Sequence, residues 1–382
     1  MKLEAVTLRE IHLPLREPFR ISSGTVSERR ILLLELHDES GAGAWAECVA
    51  AERPNYSPET IDTAWLALRL WLVPRVLGRT FGAGSAVHAA LEGAARGHPM
   101  AKAALEMGAW GLEAELSRRP LAELLGGVRQ TVEVGVSLGI EDSPERLAEK
   151  AASAVERGYR KIKLKIEPGS DVEFVRKVRE VVGPEVPLMV DANAAYGPED
   201  GDRLQELDEF GLTMIEQPLD RTDLLRHARL QKRLETPICL DESIDCVDRV
   251  EDMIALGSGR VVNIKPGRVG GFTASRAIHD RCRESGLPVW CGGMLESGIG
   301  RAYNVALASL PNFTMPGDLS PSRRYWARDI VDPEWTMGPD GMVQVPLDRP
   351  GIGVEVDRER VEALTVRRER LVHDGRPAGL QE

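Results

Sequence analysis

The 382-residue chain has only five cysteines, at 48, 239, 246, 282 and 291, an odd number with no Cys-x-x-Cys pair. That argues against a disulfide framework or a thiolate metal knuckle and leaves reduced packing residues. Seven scattered histidines form neither a helical pair nor a His-x-His, so a histidine-rich zinc centre is not expected and any metal here is to be held by oxygen. No run approaches the ~20 apolar residues of a membrane span. The opening Met1-Lys-Leu-Glu-Ala-Val6 lacks the apolar core of a signal peptide, which predicts a cytoplasmic protein. Positive charge is also short: 49 Lys and Arg against 60 Asp and Glu give a net charge of -11 without a basic stripe. Nucleic acid and anionic membrane are therefore poor partners, and a small molecule is the better one.

What is present is a repeat. Five short apolar runs each end in a charge: Lys163-Leu-Lys-Ile166, Leu188-Met-Val-Asp-Ala-Asn193, Met214-Ile-Glu-Gln-Pro218, Ile238-Cys-Leu-Asp-Glu242 and Val262-Asn-Ile-Lys-Pro266. The steps from Lys165 to Asp191, Glu216, Asp241 and Lys265 are 26, 25, 25 and 24 residues. Each run is strand-sized and each gap has helical spacing, so the unit is strand, helix, strand. Strands joined through helices run parallel and are buried on both faces. If such a sheet closes into a barrel, the five terminal side chains converge at its carboxyl-terminal mouth, where these barrels carry their chemistry.

Before the repeat, residues 3 to 13 and 31 to 36 read as strands flanking an irregular loop, Arg16 to Thr25. A second irregular stretch, Glu47 to Tyr56, leads to a helix start near Ser57-Pro58-Glu59, and helical patterns continue from about 60 to 125. Val132 to Gly139 reads as the first barrel strand, with Ser143-Pro144-Glu145 capping the next helix. Leu287 to Gly293 and Phe313 to Asp318 supply strands seven and eight, around a helix from about 297 to 310. The expected fold is α/β, a modified (β/α)7β TIM barrel with an α+β capping domain. The expected divisions are 1–130 for the cap, 131–320 for the barrel, and 321–382 for a segment that returns to the cap. Gly351 to Val356 would be its terminal strand.

Asp191, Glu216 and Asp241 would occupy adjacent strand ends. Three carboxylates so close repel one another unless a cation neutralises them, and an all-oxygen site suits Mg²⁺, with Mn²⁺ as a substitute. Lys165 and Lys265 flank the trio on opposite sides of the mouth. Two such bases imply proton removal on one face of a bound substrate and return on the other. General base catalysis supplies roughly 10²- to 10⁴-fold, whereas enzymes remove about 8 kcal/mol or more from a barrier. Divalent charge at the developing anion supplies several kcal/mol more, so base and metal are needed together.

The series Lys163-x-Lys165, Asp191-Ala-Asn193, Glu216-Gln-Pro218, Asp241-Glu242 and Asn263-Ile-Lys265-Pro266 resembles the muconate-lactonizing subgroup of the enolase superfamily. Within it, Lys163 to Gly169, Ile264 to Gly271 and Trp290 to Arg301 are most similar to o-succinylbenzoate synthase and N-acylamino (N-succinylamino) acid racemase. The resemblance implies Asp191, Glu216 and Asp241 as metal ligands and Lys165 and Lys265 as the acid/base pair. It implies Lys163 beside the substrate carboxylate, Asn193 and Glu242 supporting the metal, and a cap formed by the loops around Phe19 and Tyr56. Ser137, Gly292, Met294 and Tyr325 fall where a pocket wall is implied. The implied reaction removes the proton α to a carboxylate through an enediolate, followed by dehydration in menaquinone biosynthesis or by racemisation. The implied assembly is a homo-oligomer. Dipeptide epimerase and muconate cycloisomerase share this scaffold; the epimerases resemble a pattern with Asp-x-Asp after strand eight, where this chain has Gly317-Asp-Leu-Ser320. A noncatalytic metal-binding barrel is the reading from another class, and it would not need all five charged strand ends.

Overall fold

The computed structural model describes residues 1–373. Its centre is a seven-stranded parallel sheet made, in order, of Gly135–Leu138, Lys161–Lys165, Leu188–Asp191, Ile215–Glu216, Ile238–Leu240, Val261–Ile264 and Val289–Cys291. Every residue of these strands is buried, as parallel strands with helices outside must be. The expected eighth strand is reduced to single bridges: Phe313 pairs with Val289 at one edge and Gly317 with Val134 at the other. Gly135 N donates to Gly317 O at 2.7 Å, and Asp318 N to Cys291 O at 2.9 Å. Those contacts join the two edges and close the barrel.

The run Val132 to Gly139 is not one strand. Thr131–Glu133 turns away to pair antiparallel with Met342–Gln344, and only Gly135–Leu138 enters the barrel. Helix starts follow the expected chemistry at Ser143, whose side chain accepts from Arg146 N ahead of Pro144. The helix expected to start near Ser57 begins instead at Ile61, capped by Thr60 and Thr63. Glu59 is used elsewhere: its carboxylate accepts from Met100 N and Ala101 N, the amino-terminal end of the long helix Pro99–Ser117.

The capping unit is a four-stranded antiparallel sheet with the helices of residues 61–125 against it. Its first two strands, Leu3–Ile21 and Gly24–Asp38, overturn the expected irregular loop at 16–25. Phe19 pairs with Val26, Arg20 with Thr25 and Ile21 with Gly24, so most of that segment is a hairpin arm. Within this arm the register breaks between Pro14 and Phe19, where Pro14 and Pro18 have no N–H to offer a ladder; a second shift lies at the far end, between Leu3 and Ala5. The fourth strand, Thr365–Val372, pairs with the first and lies beyond the terminal strand expected at 351–356, which is reduced to a single bridge of Gly351 with Pro120 and the pairing of Glu355–Val356 with Val331–Asp332. No helix among the described residues is long and apolar enough to cross a membrane.

Candidate active site

Strand register places the five charged ends side by side. Lys165 pairs with Asp191 across the second and third barrel strands, and Asp191 with Glu216 across the third and fourth. Asp241 and Lys265 follow immediately after the fifth and sixth strands. Asp191, Glu216 and Asp241 are 0% exposed, so their charges need partners close by.

Those partners are ammonium groups threaded between the carboxylates. Lys165 Nζ donates to Asp191 Oδ2 at 2.5 Å and to Asn193 Oδ1 at 2.7 Å. Lys265 Nζ donates to Asp241 Oδ2 at 2.7 Å and to Tyr56 Oη at 3.1 Å. Lys163 Nζ stands between Asp191 Oδ2 at 2.9 Å and Glu216 Oε2 at 2.6 Å. Both are ion pairs rather than directed hydrogen bonds, and Glu216 Oε2 accepts no hydrogen bond. Asn193 Nδ2 reaches Glu242 Oε1 at 3.0 Å, which ties the third strand's loop to the fifth's.

The electrostatics are uneven. Burial pushes Lys165 below the ordinary lysine value in spite of Asp191. Burial also opposes charge on Lys265, but Tyr56, Glu216 and Glu242 outweigh it and raise the ammonium. Burial would raise Asp191; Lys163 and Lys165 reverse the sign and hold it far down. Glu242 goes the other way, raised by burial and by Asp191.

Among the described residues, no three Asp, Glu, His or Cys side chains already converge on one point as a metal cage would. The donor set nonetheless fits a hard divalent cation. Three wholly buried carboxylates sit on adjacent strands, and Glu216 Oε2 and Glu242 Oε2 are buried without a hydrogen-bond donor. Ammonium contacts would be exchanged for metal contacts at Asp191 and Glu216.

Of the predicted residues, Lys163, Lys165, Asp191, Asn193, Glu216, Asp241, Glu242, Lys265 and Tyr56 come together as one network. Phe19, Ser137, Met294 and Tyr325 make no hydrogen bond or ion pair with it. Ser137 Oγ is buried and unpaired, next in register to Lys163. Tyr325 is buried with the guanidinium groups of Arg301 and Arg324 over its ring. Gly292 lies beside Lys265: a Cβ there would stand 2.7 Å from Lys265 Cε. The capping hairpin reaches the mouth, where Arg20 O accepts from Ile140 N at 3.0 Å and its side chain meets Asp142 and Glu167. A cleft of about 510 Å³ opens there, lined by Ser23, Asn55, Tyr56, Asn193, Arg221 and Glu242.

Three participants were not singled out from the sequence. Arg268 contacts Asp241 and donates to Asn263 O, Asn263 Nδ2 donates to Glu216 Oε1 at 2.7 Å, and Gln217 Oε1 accepts from Asp241 N and Ser243 N. The motifs Glu216-Gln-Pro and Asn263-Ile-Lys265 contained the last two, whereas Arg268 carried no separate signal. Backbone strain points to the same place: Asn193, Ala194, Gln217 and Leu295 hold positive φ just after strand ends at the mouth.

Comparison with known proteins agrees with this architecture. Residues 3–126 match the family "Mandelate racemase / muconate lactonizing enzyme, N-terminal domain", and residues 146–361 match "Enolase C-terminal domain-like". The chain is 48% identical over 365 residues to an o-succinylbenzoate synthase of Geobacillus stearothermophilus, covering 96% of each chain. It is likewise 48% identical over 365 residues to an N-succinylamino acid racemase of Amycolatopsis sp, covering 96% of this chain and 98% of that one. A solved enolase-superfamily member from Listeria innocua superposes with a TM-score of 0.93 at 38% identity, over 97% of this chain and 99% of its own. The chain belongs to the mandelate racemase/muconate lactonizing enzyme family of the enolase superfamily.

Proposed function

We propose that this enzyme removes the proton α to a carboxylate and acts as an o-succinylbenzoate synthase, in menaquinone biosynthesis, and as an N-succinylamino acid racemase. The observation that carries the reading is the placement of Lys165 and Lys265. Each is anchored to a different outer carboxylate of the trio, at 2.5 Å and 2.7 Å, so they face the site from opposite flanks. Relatives at 48% identity that bear each of the two names support both activities in one site.

Asp191, Glu216 and Asp241 would hold Mg²⁺ or Mn²⁺, supported by Asn193 and Glu242. When bound, the cation supplies positive charge to the substrate carboxylate as its α-proton leaves. Lys165 and Lys265 take or return that proton at Nζ, one on each face. Lys163 offers its ammonium to the carboxylate from below. The capping hairpin and Tyr56 close the mouth and keep water from quenching the carbanionic substrate. For racemisation the opposite lysine reprotonates the carbon; for dehydration a lysine ammonium on the face of the departing hydroxyl protonates it, so that it leaves as water.

A dipeptide epimerase is disfavoured by the fate of Asp318. That carboxylate is buried against Lys163 at 3.3 Å and Lys161 at 3.9 Å, and so is not presented to a substrate amine.

The test is α-proton exchange followed by NMR in D₂O with Mg²⁺, with both hands of N-succinylated amino acids and the cyclohexadiene precursor of o-succinylbenzoate. Exchange and inversion of both hands, with dehydration of the precursor, is the expected result. Lys165→Ala and Lys265→Ala should each abolish inversion while the fold persists. Full inversion by either variant refutes the two-base mechanism.

A further inference from the structure

The strand Lys161–Lys165 aims three lysines into the barrel, and the function above uses only the upper two. Lys161 is 1% exposed, with Nζ lying 3.5 Å from the centroid of the Trp290 ring and making no hydrogen bond. Its path is built in: a Cβ on Gly135 would stand 2.7 Å from Lys161 Cε. Burial pushes this ammonium down to about 8, and its nearest carboxylate is Asp318, with Oδ1 at 3.9 Å.

Asp318 is clamped on both sides through its backbone. Its N–H donates to Cys291 O at 2.9 Å, and its carbonyl accepts from Arg301 Nη1 at 2.7 Å. Its second carboxylate oxygen, Oδ2, lies 3.3 Å from Lys163 Nζ. Lys163 therefore has three carboxylates around it, and two of them, Asp191 and Glu216, are the ones a divalent cation would claim. The third sits at the floor of the site, away from the trio.

We propose that Asp318 is a positioning residue for Lys163: it retains the ammonium at the barrel floor, aimed at the substrate, when a divalent cation takes the oxygens of Asp191 and Glu216. Lys161 is the counter-charge that keeps this anchor from being an isolated buried anion. Without the anchor, Lys163 has no alternative to the two oxygens the cation needs and competes with it for them. This inference rests on the metal-site reading above.

The test is a calorimetric titration of the metal-free full-length protein with Mn²⁺ alone, with circular dichroism to check each fold. Asp318→Asn should weaken Mn²⁺ binding at least tenfold, the usual scale for groups behind metal ligands. Lys163→Met should bind Mn²⁺ more tightly than wild type, because the competitor is gone. In that background the added Asp318→Asn should change the affinity less than twofold. A general field effect of Asp318 would persist in the double variant and overturns the proposal, as does an Asp318→Asn protein with wild-type affinity. Should Asp318→Asn alone not fold, the comparison of Lys163→Met with the double variant still decides. A wild-type protein that takes up no Mn²⁺ overturns the functional reading itself, whereas binding with the wrong variant pattern overturns only the role of Asp318.

Discussion

Adding one methyl group at Gly292 should disable the site without unfolding the protein. The backbone there does not need glycine's freedom, since Gly292 is not among the positive-φ positions. Space is what it lacks: the new Cβ would stand 2.7 Å from Lys265 Cε and 2.6 Å from Asn263 Nδ2, with Asn263 Oδ1 closer still. Ordinary contact begins at 3.4 Å, so Lys265 must give by about 0.7 Å and Asn263 by more. Asn263 cannot retreat freely because its amide holds Glu216 Oε1 at 2.7 Å, and Lys265 is pinned between Asp241 and Tyr56. A misplacement of about 1 Å in a reacting group costs on the order of 10²-fold. Gly292→Ala should therefore lower kcat for racemisation by about 100-fold, read by α-proton exchange of each hand. Overpacking of this kind costs about 1–3 kcal/mol of stability, which a domain of this size tolerates. A kcat within threefold of wild type would show that Lys265 has room to spare and would refute the reasoning.

Glu106→Ala should destabilise the whole molecule, because that buried carboxylate accepts from Phe272 N at 2.8 Å, Thr273 N at 3.0 Å and Trp110 Nε1 at 2.8 Å. Two or three buried donors left unpaired at about 1–3 kcal/mol each amount to roughly 4 kcal/mol, or about 5 °C at the entropy density of an ordinary fold; a Tm within 1 °C of wild type in calorimetry argues against it. Glu47 supplies a pH test, since burial pushes its carboxyl from the ordinary 4.5 up to about 7. The folded state then holds a proton that the unfolded chain has lost between those values, so stability falls as pH rises through that window and is level above it. Glu59, raised to about 7 in the same way, and the raised carboxyls of Glu106, Glu115 and Asp329 keep their own shares, so Glu47→Gln should make the fall of Tm between pH 5 and 7 shallower without abolishing it. An unchanged slope contradicts the assignment to Glu47.

The repeat was legible because parallel strands buried on both faces leave little room for charge except at their ends. Lys165, Asp191, Glu216, Asp241 and Lys265 therefore stand out at near-constant spacing. The capping hairpin was not legible, because Pro14, Pro18 and Ser22-Ser23-Gly24 give it the composition of a loop while its ladder resumes beyond the prolines. Thr365–Val372 was missed because its run of arginines and Glu369 shows no apolar alternation, and pairing with the first strand decides it. Arg268 and Asp318 escaped for a different reason. Each acts through a partner that only the closed barrel brings near, Asp241 for one and Lys163 for the other.

Long-range pairing of that kind also explains how a capping unit can matter to chemistry carried on barrel strands. The helix Phe272–Glu284 follows Lys265 closely in the chain, and its own N-cap residue is Gly271, which has no side chain to satisfy the first amides. Glu106, from the capping helix Pro99–Ser117, fills that role. The helix Gly298–Ala308 follows the segment that carries Gly292 and Met294, and there Glu47 of the capping sheet accepts from Ser297 Oγ at 2.6 Å and from Gly300 N at 3.1 Å. A Cβ on Gly271 would collide with Glu106, so the approach requires that glycine. Two carboxylates of the cap thus hold the amino-terminal ends of the barrel helices Phe272–Glu284 and Gly298–Ala308. Each carboxyl group is held by the amides of a helix end, with the Arg29 guanidinium also near Glu47, so it needs its position to be fixed to within a hydrogen bond. Rotation of the cap by even an ångström would break both sets of bonds together. The same rigid seating sets where Tyr56 meets Lys265, which is why the cap must be counted as part of the active site and not only as its lid.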